Sequence, residues 1–279
     1  MTNPIADPLV EAPDVSATSN LVDIEATEAG AVTVILNRPE RKNAFDADLI
    51  SALLEAFDTL AGAEGVRVVF LRGAGGTFSA GADLGWMRTA LDHTEHDNRA
   101  DAFELAKMLK ALHDLPVLTV ALVEGGAFGG GAGLAAACDM AIAVEGTNFS
   151  FSEARLGLVA ATISPYVVQA IGPRNARGLF ATARVFDAAY AEKIGLITQV
   201  VPDVAALEAA AVKIAGDILA CGPEAVAGSK RLVDEVASRP INRDLMELTA
   251  HRIASVRVGD EGQEGVRAFL ERRKPRWAE

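Results

Sequence analysis

Apolar residues along the chain recur at two different spacings, which predict alternating β-strands and α-helices. Short β-rich runs such as AVTVIL at residues 31–36 are typical of strands. Leucine and phenylalanine recur at helical spacing in the segments between those runs. The predicted strands are residues 31–36, 67–71, 117–123 and 140–144, and the predicted helices are residues 46–61 and 99–112. This alternation favours an α/β fold.

The pattern changes along the chain and divides it into three parts. Residues 1–20 carry three prolines and no hydrophobic period, so we expect a flexible lead-in. Residues 21–200 form the predicted α/β core. Residues 201–279 are predicted to be a helical C-terminal region, because separate helical periods occur at residues 204–219, 225–236, 245–258 and 262–271.

Composition and charge exclude several classes of protein. Half of the residues are hydrophobic, which is enough apolar surface to offset the ordering entropy of the chain and excludes wholesale disorder. Lysine and arginine number 26 against 38 aspartate and glutamate, a net charge of −12. A field of that sign repels nucleic acid and anionic membranes, so neither is an expected partner. An anionic small molecule would need a local cluster of donors.

The low cysteine content indicates a reduced setting, and the distribution of apolar residues favours a cytoplasmic protein. Cys138 and Cys221 are too few and too far apart in sequence for a disulfide framework. The first residues lack the basic and apolar stretches of a signal or transit peptide. The uncharged residues 156–173 reach membrane-spanning length but contain polar residues and a proline, so we expect a buried segment.

Two glycine-containing turns follow predicted strands. Residues 78–84 read FSAGADL, and residues 129–134 read GGGAGL and open a predicted helix. Glycine lets a main-chain N–H approach a ligand closely, and a helix N-terminus adds unpaired donors. One donor from each turn could hold a developing oxyanion. For either turn alone, an ordinary tight turn is the commoner explanation.

The set of motifs resembles the enoyl-CoA hydratase/isomerase (crotonase) superfamily from about Leu21 to the C-terminus. The resemblance rests on Asn37-Arg38-Pro39 with Lys42-Asn43-Ala44, FSAGADL, the GGG turn leading into AAACDMAIA, Phe151-Ser152-Glu153, AEKIGL at residues 191–196 and EGVRAFLERRKPRW at residues 264–277. It implies a crotonase-like spiral of ββα units with a helical trimerisation region. A homotrimer or homohexamer acting on an acyl-CoA is expected, with no metal and no cofactor besides the coenzyme A of the substrate.

The resemblance also implies the site residues. The N–H groups of Ala82 and Gly130 would hold the thioester oxygen, and Glu153 would exchange a proton next to it. Burial among apolar residues, including Leu156 and Leu158, would raise the pKa of Glu153. Its ordinary alternative is an ion pair with Arg155 or Arg174. Further substrate contacts are expected at Lys42, Ala44, Ala80, Asp83, Leu84, Gly129, Gly133, Leu158, Phe269, Arg272 and Lys274, the last three from a neighbouring subunit.

For Asp83 and for a group of basic residues, a structural role is an alternative to substrate binding. Asp83 directly follows a turn and is expected to cap the next helix. Arg38, Arg41 and Lys42 form a basic patch in an acidic chain, which could contact the phosphates of CoA or be a solvated turn.

Gly133 departs from the family pattern. Many hydratases of the family carry a second glutamate here, and two carboxylates divide the work of activating water and protonating carbon. With Glu153 alone, an isomerase that moves one proton between two carbons is an alternative, and an acyl-CoA-binding protein without chemistry is another.

The sequence around Glu153 nevertheless resembles the 3-methylglutaconyl-CoA or γ-carboxygeranoyl-CoA hydratase branch. We therefore expect hydration of a branched or carboxylated 2-enoyl-CoA. Arg155, Ser164 and Tyr166 are the candidate partners for the extra carboxylate of such a substrate.

Overall fold

The computed structural model describes Pro13, Val15 and residues 19–279 of the chain, so the predicted flexible segment 1–20 lies almost entirely outside the described residues. The strands are β1 (Val22–Ala26), β2 (Ala31–Leu36), β3 (Val68–Gly73), β4 (Leu118–Val123), β5 (Gly126–Phe128), β6 (Met140–Val144), β7 (Asn148–Ser150), β8 (Phe186–Asp187) and β9 (Gln199–Val201). The α-helices are α1 (Ala47–Gly62), α2 (Leu84–Thr89), α3 (Glu95–Asp114), α4 (Gly130–Ala137), α5 (Ser164–Thr182), α6 (Ala188–Ile194), α7 (Val204–Leu219), α8 (Pro223–Val236), α9 (Arg243–Val258) and α10 (Asp260–Glu271).

The strands form two sheets, and from β4 to β7 successive strands alternate between them. The larger sheet has the order β1-β2-β3-β4-β6-β9, parallel except for the edge strand β1. The smaller sheet has the order β5-β7-β8. The chain passes from β4 to β5 to α4, and then from β6 to β7 to α5. These two ββα passages are the repeated units of the crotonase-like fold that the sequence resemblance implies.

The larger sheet is covered on both faces, which explains why its inner strands β2, β3, β4 and β6 are mostly apolar. In β3, Val69 and Leu71 join the main core with α1 and α3, whereas Val68 and Phe70 pack against α7 on the other face. The helix α1 begins where the Asp46 side chain accepts the N–H of Leu49 at 2.9 Å, a typical N-cap.

The predicted alternation is confirmed, with element ends shifted by a few residues. The four predicted strands are β2, β3, β4 and β6, and the two predicted helices are α1 and α3. The sequence did not reveal β8 and β9 within the region from residue 163 onward, because two or three residues are too few to set a period.

The prediction of one buried segment over residues 156–173 was wrong in its first half. Leu156, Leu158 and Val159 are 59%, 55% and 80% exposed in the single chain, because they lie on a surface loop before α5. The segment enters the core at Ala160 and then from Ile163 through Val167 to Ile171. Among the helices of the described residues, none combines the length and the apolar character needed to cross a bilayer.

Candidate active site

Both glycine turns lie at the same end of the larger sheet, as predicted. The first turn follows β3 and the second follows β4 and β5, and β3 and β4 are parallel neighbours. Ser79 pairs with Ala127 of β5, since its N–H donates to the Gly126 carbonyl and its carbonyl accepts from Phe128. A methyl group at Gly81 would lie 3.6 Å from the Gly130 nitrogen. The turns therefore meet at Gly81 and Gly130.

The first turn leaves the Ala82 N–H unused. Phe45 donates its N–H to the Gly81 carbonyl at 2.6 Å, and the Asp83 N–H donates to the Phe45 carbonyl at 2.7 Å. These bonds fix the main chain on both sides of Ala82. Within the described part of the chain, the Ala82 N–H itself has no acceptor. An exposed, immobilised donor of this kind is suited to bind a ligand oxygen.

The second turn presents the N–H of Gly130 in the same way. Gly129 has a φ of 50° and donates its own N–H to the Ser150 carbonyl at 2.8 Å. Gly130 is the first residue of α4, and its N–H finds no acceptor among the residues that the structure describes. The helix N-terminus adds a partial positive charge at this point.

Glu153 lies beside the second turn, and one of its two carboxyl oxygens has no hydrogen-bond partner within the described residues. A methyl group at Gly129 would be 3.3 Å from the Glu153 Oε1. The other oxygen, Oε2, is buried and is the one buried side-chain oxygen or nitrogen of the described residues without a hydrogen bond. Burial raises the pKa of Glu153 above its usual value, a tendency that a backbone hydrogen bond opposes only in part. A carboxyl group with a raised pKa is suited to both accept and return a proton.

The surroundings of Glu153 differ from the prediction in two respects. Phe149 and Phe151 are buried as expected, but Leu156 and Leu158 are exposed because the 3-10 turn Glu153–Leu156 lies at the surface. The ordinary alternative, an ion pair of Glu153 with Arg155 or Arg174, does not occur among the described residues.

The side chain of Ile163 fills the space beside Gly133. Gly133 lies in the first turn of α4, and its N–H donates to the carbonyl of Gly129, the residue before the helix, at 3.0 Å. A methyl group at Gly133 would lie 2.1 Å from Cγ2 and 2.5 Å from Cβ of Ile163, a side chain that is only 2% exposed. The space into which a second carboxylate would extend is therefore occupied by an isoleucine.

Arg38 is a structural residue rather than part of an open basic patch, which corrects the prediction. Its guanidinium donates to the Ala44 carbonyl at 2.7 Å and pairs with Asp46 at 2.8 Å and Asp83 at 3.6 Å. Asp83 caps α2 as predicted, since its Oδ1 accepts the N–H groups of Gly85 and Trp86. These hydrogen bonds and the nearby arginines lower the pKa of Asp83 against the opposing effect of burial.

The structure brings several of the other predicted contacts to this region. The Ala80 N–H donates to the Lys42 carbonyl at 2.9 Å, which places residues 42–44 beside the first turn. Leu84 begins α2 with an exposed side chain, and the Leu158 N–H donates to the Glu153 carbonyl. These residues surround the two donors and the carboxyl group.

Phe269, Arg272 and Lys274 are not brought to the site within one chain. Arg273 forms a bidentate ion pair with Glu264. This pair lowers the pKa of Glu264 to about 2 and holds the segment after α10 in place. The Trp277 carbonyl accepts from Arg67, which precedes β3 at the opposite end of the sheet. Contacts with CoA from a neighbouring subunit remain a prediction for these residues.

Tyr166 and Ser164 do not fit the role of carboxylate partners. Tyr166 lies in a cavity of about 630 Å³ at the other end of the sheet, where its ring contacts His113. The Ser164 hydroxyl donates to the Ala161 carbonyl at 2.7 Å. Arg155 is exposed and has no ion pair in the described structure, so it alone of the three stays available.

Sequence reasoning missed Asn43, Ser79 and Ile163. Asn43 and Ser79 are fully buried polar residues. Both lie within the motifs on which the family resemblance rests, and this position could have identified them as candidates. Asn43 has a φ of 53°, and its side chain joins Arg38 to the carbonyls of Ala74 and Thr77. No sequence signal identified Ile163 as the neighbour of Gly133.

Comparisons with known proteins show the family to which the chain belongs. The sequence model of the Enoyl-CoA hydratase/isomerase family matches residues 26–279. A Thermus thermophilus relative is 36% identical over 90% of this chain and 98% of its own length. The Mycobacterium tuberculosis enoyl-CoA hydratase EchA19 is 33% identical, over 87% of this chain and 91% of its own. The crystal structure of a Shewanella pealeana enoyl-CoA hydratase is 37% identical with a TM-score of 0.90, covering 94% of this chain and 98% of that one. The chain therefore belongs to the enoyl-CoA hydratase/isomerase family and is an enzyme of one of these two types.

Proposed function

We propose that the protein adds water to a 2-enoyl-CoA whose acyl group is branched or carboxylated. What supports the proposal is that the turns carrying Ala82 and Gly130 meet, and that each N–H has no acceptor within the described residues. Beside them lies Glu153, whose Oε2 is buried and has no hydrogen bond within the same residues. Relatives named as enoyl-CoA hydratases support the hydratase type.

In this reaction Glu153 performs both proton transfers. Its carboxylate accepts a proton from water while the water oxygen forms a bond to C3 of the enoyl group. The π electrons move towards the thioester, and the resulting oxyanion binds the N–H groups of Ala82 and Gly130. Glu153 then returns the proton to C2, which gives a 3-hydroxyacyl-CoA. Two fixed donors stabilise this enolate-like state more than they stabilise the substrate.

The isomerase is the second candidate, and Gly133 favours it. An isomerase needs one carboxylate only, which would remove a proton from C2 of a 3-enoyl-CoA and return it to C4. Because Ile163 fills the space beside Gly133, a second carboxylate has no room there, and Glu153 is the carboxylate available to act on the substrate in the described structure.

Mass spectrometry separates the two reactions. We expect crotonyl-CoA and 3-methylglutaconyl-CoA to gain the mass of one water, and the oxygen to come from isotopically labelled solvent. A 3-enoyl-CoA that becomes a 2-enoyl-CoA with no water adduct from any 2-enoyl-CoA would contradict the hydratase and establish the isomerase. Binding without turnover of either class would contradict both.

Arg155 is the proposed partner of the extra substrate carboxylate. Replacing it by methionine should lower kcat/KM for 3-methylglutaconyl-CoA by about tenfold to a hundredfold, because a hydrogen bond to a charged group contributes about 1.5–3 kcal/mol. The same variant should leave kcat/KM for crotonyl-CoA within about twofold, which serves as the internal control. Equal losses with both substrates would contradict a role in recognising the carboxylate.

A further inference from the structure

Ser79 touches both turns that present the oxyanion donors. Its side chain is fully buried, and its hydroxyl accepts the Gly81 N–H at 3.2 Å and donates to the Asn43 carbonyl at 2.8 Å. Its main chain pairs with β5, which leads directly into Gly129 and Gly130. One residue thus links the Ala82 turn to the Gly130 turn.

The second link is close packing against α4. A methyl group at Gly131 would lie 2.7 Å from the Ser79 Cβ and 2.6 Å from its carbonyl oxygen. The first turn of α4 therefore rests on Ser79 with no intervening side chain. A displacement of Ser79 would be transmitted to the residue after Gly130.

The Ser79 hydroxyl restricts the main chain at Gly81, which would otherwise be flexible because glycine has no Cβ. Gly81 has a φ of 86° and no Cβ to restrict it. Its N–H is held by the Ser79 hydroxyl, and its carbonyl is held by the Phe45 N–H. The carbonyl of Gly81 and the N–H of Ala82 belong to one planar peptide unit, so fixing Gly81 at both ends sets the direction of the Ala82 N–H.

We propose that Ser79 is a positioning residue for the reaction, because its hydroxyl aligns the Ala82 N–H with the Gly130 N–H on one thioester oxygen. This inference rests on the proposed function. Ser79 itself touches neither the substrate nor the reacting atoms. Its contribution lies in the relative geometry of the two donors.

Ser79→Ala should lower kcat for crotonyl-CoA by about tenfold to a hundredfold, less than the 10²–10³-fold loss typical of removing a donor outright. KM should change by less than about threefold, because other hydrogen bonds also hold residues 42–44, including those from the Ala80 N–H to the Lys42 carbonyl and from the Asn43 N–H to the Arg38 carbonyl. The second readout is the infrared carbonyl stretch of bound butyryl-CoA labelled with carbon-13 at the thioester. This saturated ligand does not react, and hydrogen bonds from both donors lower its stretching frequency. Ser79→Ala should move that frequency back towards the value of the free ligand.

Thr119→Val is the matched control. Thr119 is as fully buried as Ser79, and its hydroxyl also accepts a main-chain N–H, from Asp139, while donating to a neighbouring oxygen. It lies at the amino end of β4, away from the two turns. We expect Thr119→Val to alter stability but neither kcat nor the infrared frequency.

The outcomes separate this inference from the proposed function. If butyryl-CoA bound to the unaltered protein shows no lowered frequency, the oxyanion site itself is contradicted. If the unaltered protein shows it and Ser79→Ala retains both the frequency and kcat, the positioning role of Ser79 is wrong while the proposed function stands. Should Ser79→Ala fail to fold, Ser79→Cys carries the same measurements, because sulfur is a longer and weaker acceptor. A normal kcat and frequency in Ser79→Cys would equally overturn the inference.

Discussion

Glu153→Gln is expected to lower kcat for hydration by roughly 10⁴-fold, the upper end of the range for general acid–base catalysis. The loss is large because the described site offers one carboxyl group for both proton transfers. Glutamine has the same shape but cannot accept a proton from water or return one to C2. Binding of acyl-CoA should change little, since the donors of Ala82 and Gly130 are main-chain groups. Steady-state kinetics together with titration of butyryl-CoA would measure both quantities.

The same variant should be more stable than the unaltered protein above pH 5. Glu153 has a raised pKa in the folded state, so between its unfolded and folded pKa values the folded protein binds more protons than the unfolded chain. Stability contributed by this group is therefore present at low pH and is lost as pH rises through that window. Glutamine has no such loss, so its advantage should be small near pH 4 and largest at pH 8.

Urea denaturation at both pH values tests this relation. Glu28→Gln is the control, because Glu28 is exposed and its replacement changes the net charge equally. We expect Glu28→Gln to show no gain at pH 8. A lower stability of Glu153→Gln at pH 8 would mean that the carboxylate has a stabilising partner in solution. That result would contradict the state of Glu153 on which the mechanism depends.

Much of this site could be predicted because its parts lie within short segments of sequence. The turns at residues 78–84 and 129–134 each follow a strong strand signal, and parallel neighbouring strands bring their carboxyl ends together. Glu153 and the helix cap Asp83 were identified from motifs, and the structure places Asp83 as expected. The burial of Glu153 was expected for partly wrong reasons. Apolar residues next to it in sequence, such as Leu156, face away from the core because the chain turns at the surface there.

The remaining parts depend on contacts between segments that are distant in sequence. Ile163 reaches Gly133 only because α5 packs against α4, and nothing in residues 129–134 reveals this neighbour. Ser79 and Asn43 lie 36 residues apart, and their hydrogen bond is visible only after the strands are assembled. Tyr166 illustrates the opposite error, since it is near Glu153 in sequence but lines a cavity at the other end of the sheet. Local patterns predict turns and elements, whereas the partner of a buried side chain follows from packing.

Gly133→Glu should destabilise the protein by about 3 kcal/mol rather than create a better hydratase, because overpacking a filled site typically costs 1–3 kcal/mol and occasionally more. The new Cβ would overlap Ile163, whose own main chain is fixed at the start of α5. Gly178→Glu is the matched control, since a methyl group at this helical glycine of α5 meets nothing within 4 Å. We expect Gly178→Glu to be neutral or stabilising, as most replacements of an exposed helical glycine are. Equal stability of the two variants would contradict the Ile163 contact.

Shortening Ile163 should relieve this clash and separate the two candidate reactions. Ile163→Ala alone should cost about 3 kcal/mol through the cavity it leaves. In the Gly133→Glu/Ile163→Ala variant the two losses should not add, with a favourable coupling of about 2 kcal/mol. We expect this double variant to hydrate crotonyl-CoA no faster than Ile163→Ala, since a site in which Glu153 already moves both protons gains nothing from a second carboxylate. A rise of about 10²-fold, the contribution typical of one general base, would show that the native site lacks a group to activate water. Glu153 would then serve a reaction without water, and the isomerase would replace the hydratase as the function of this chain.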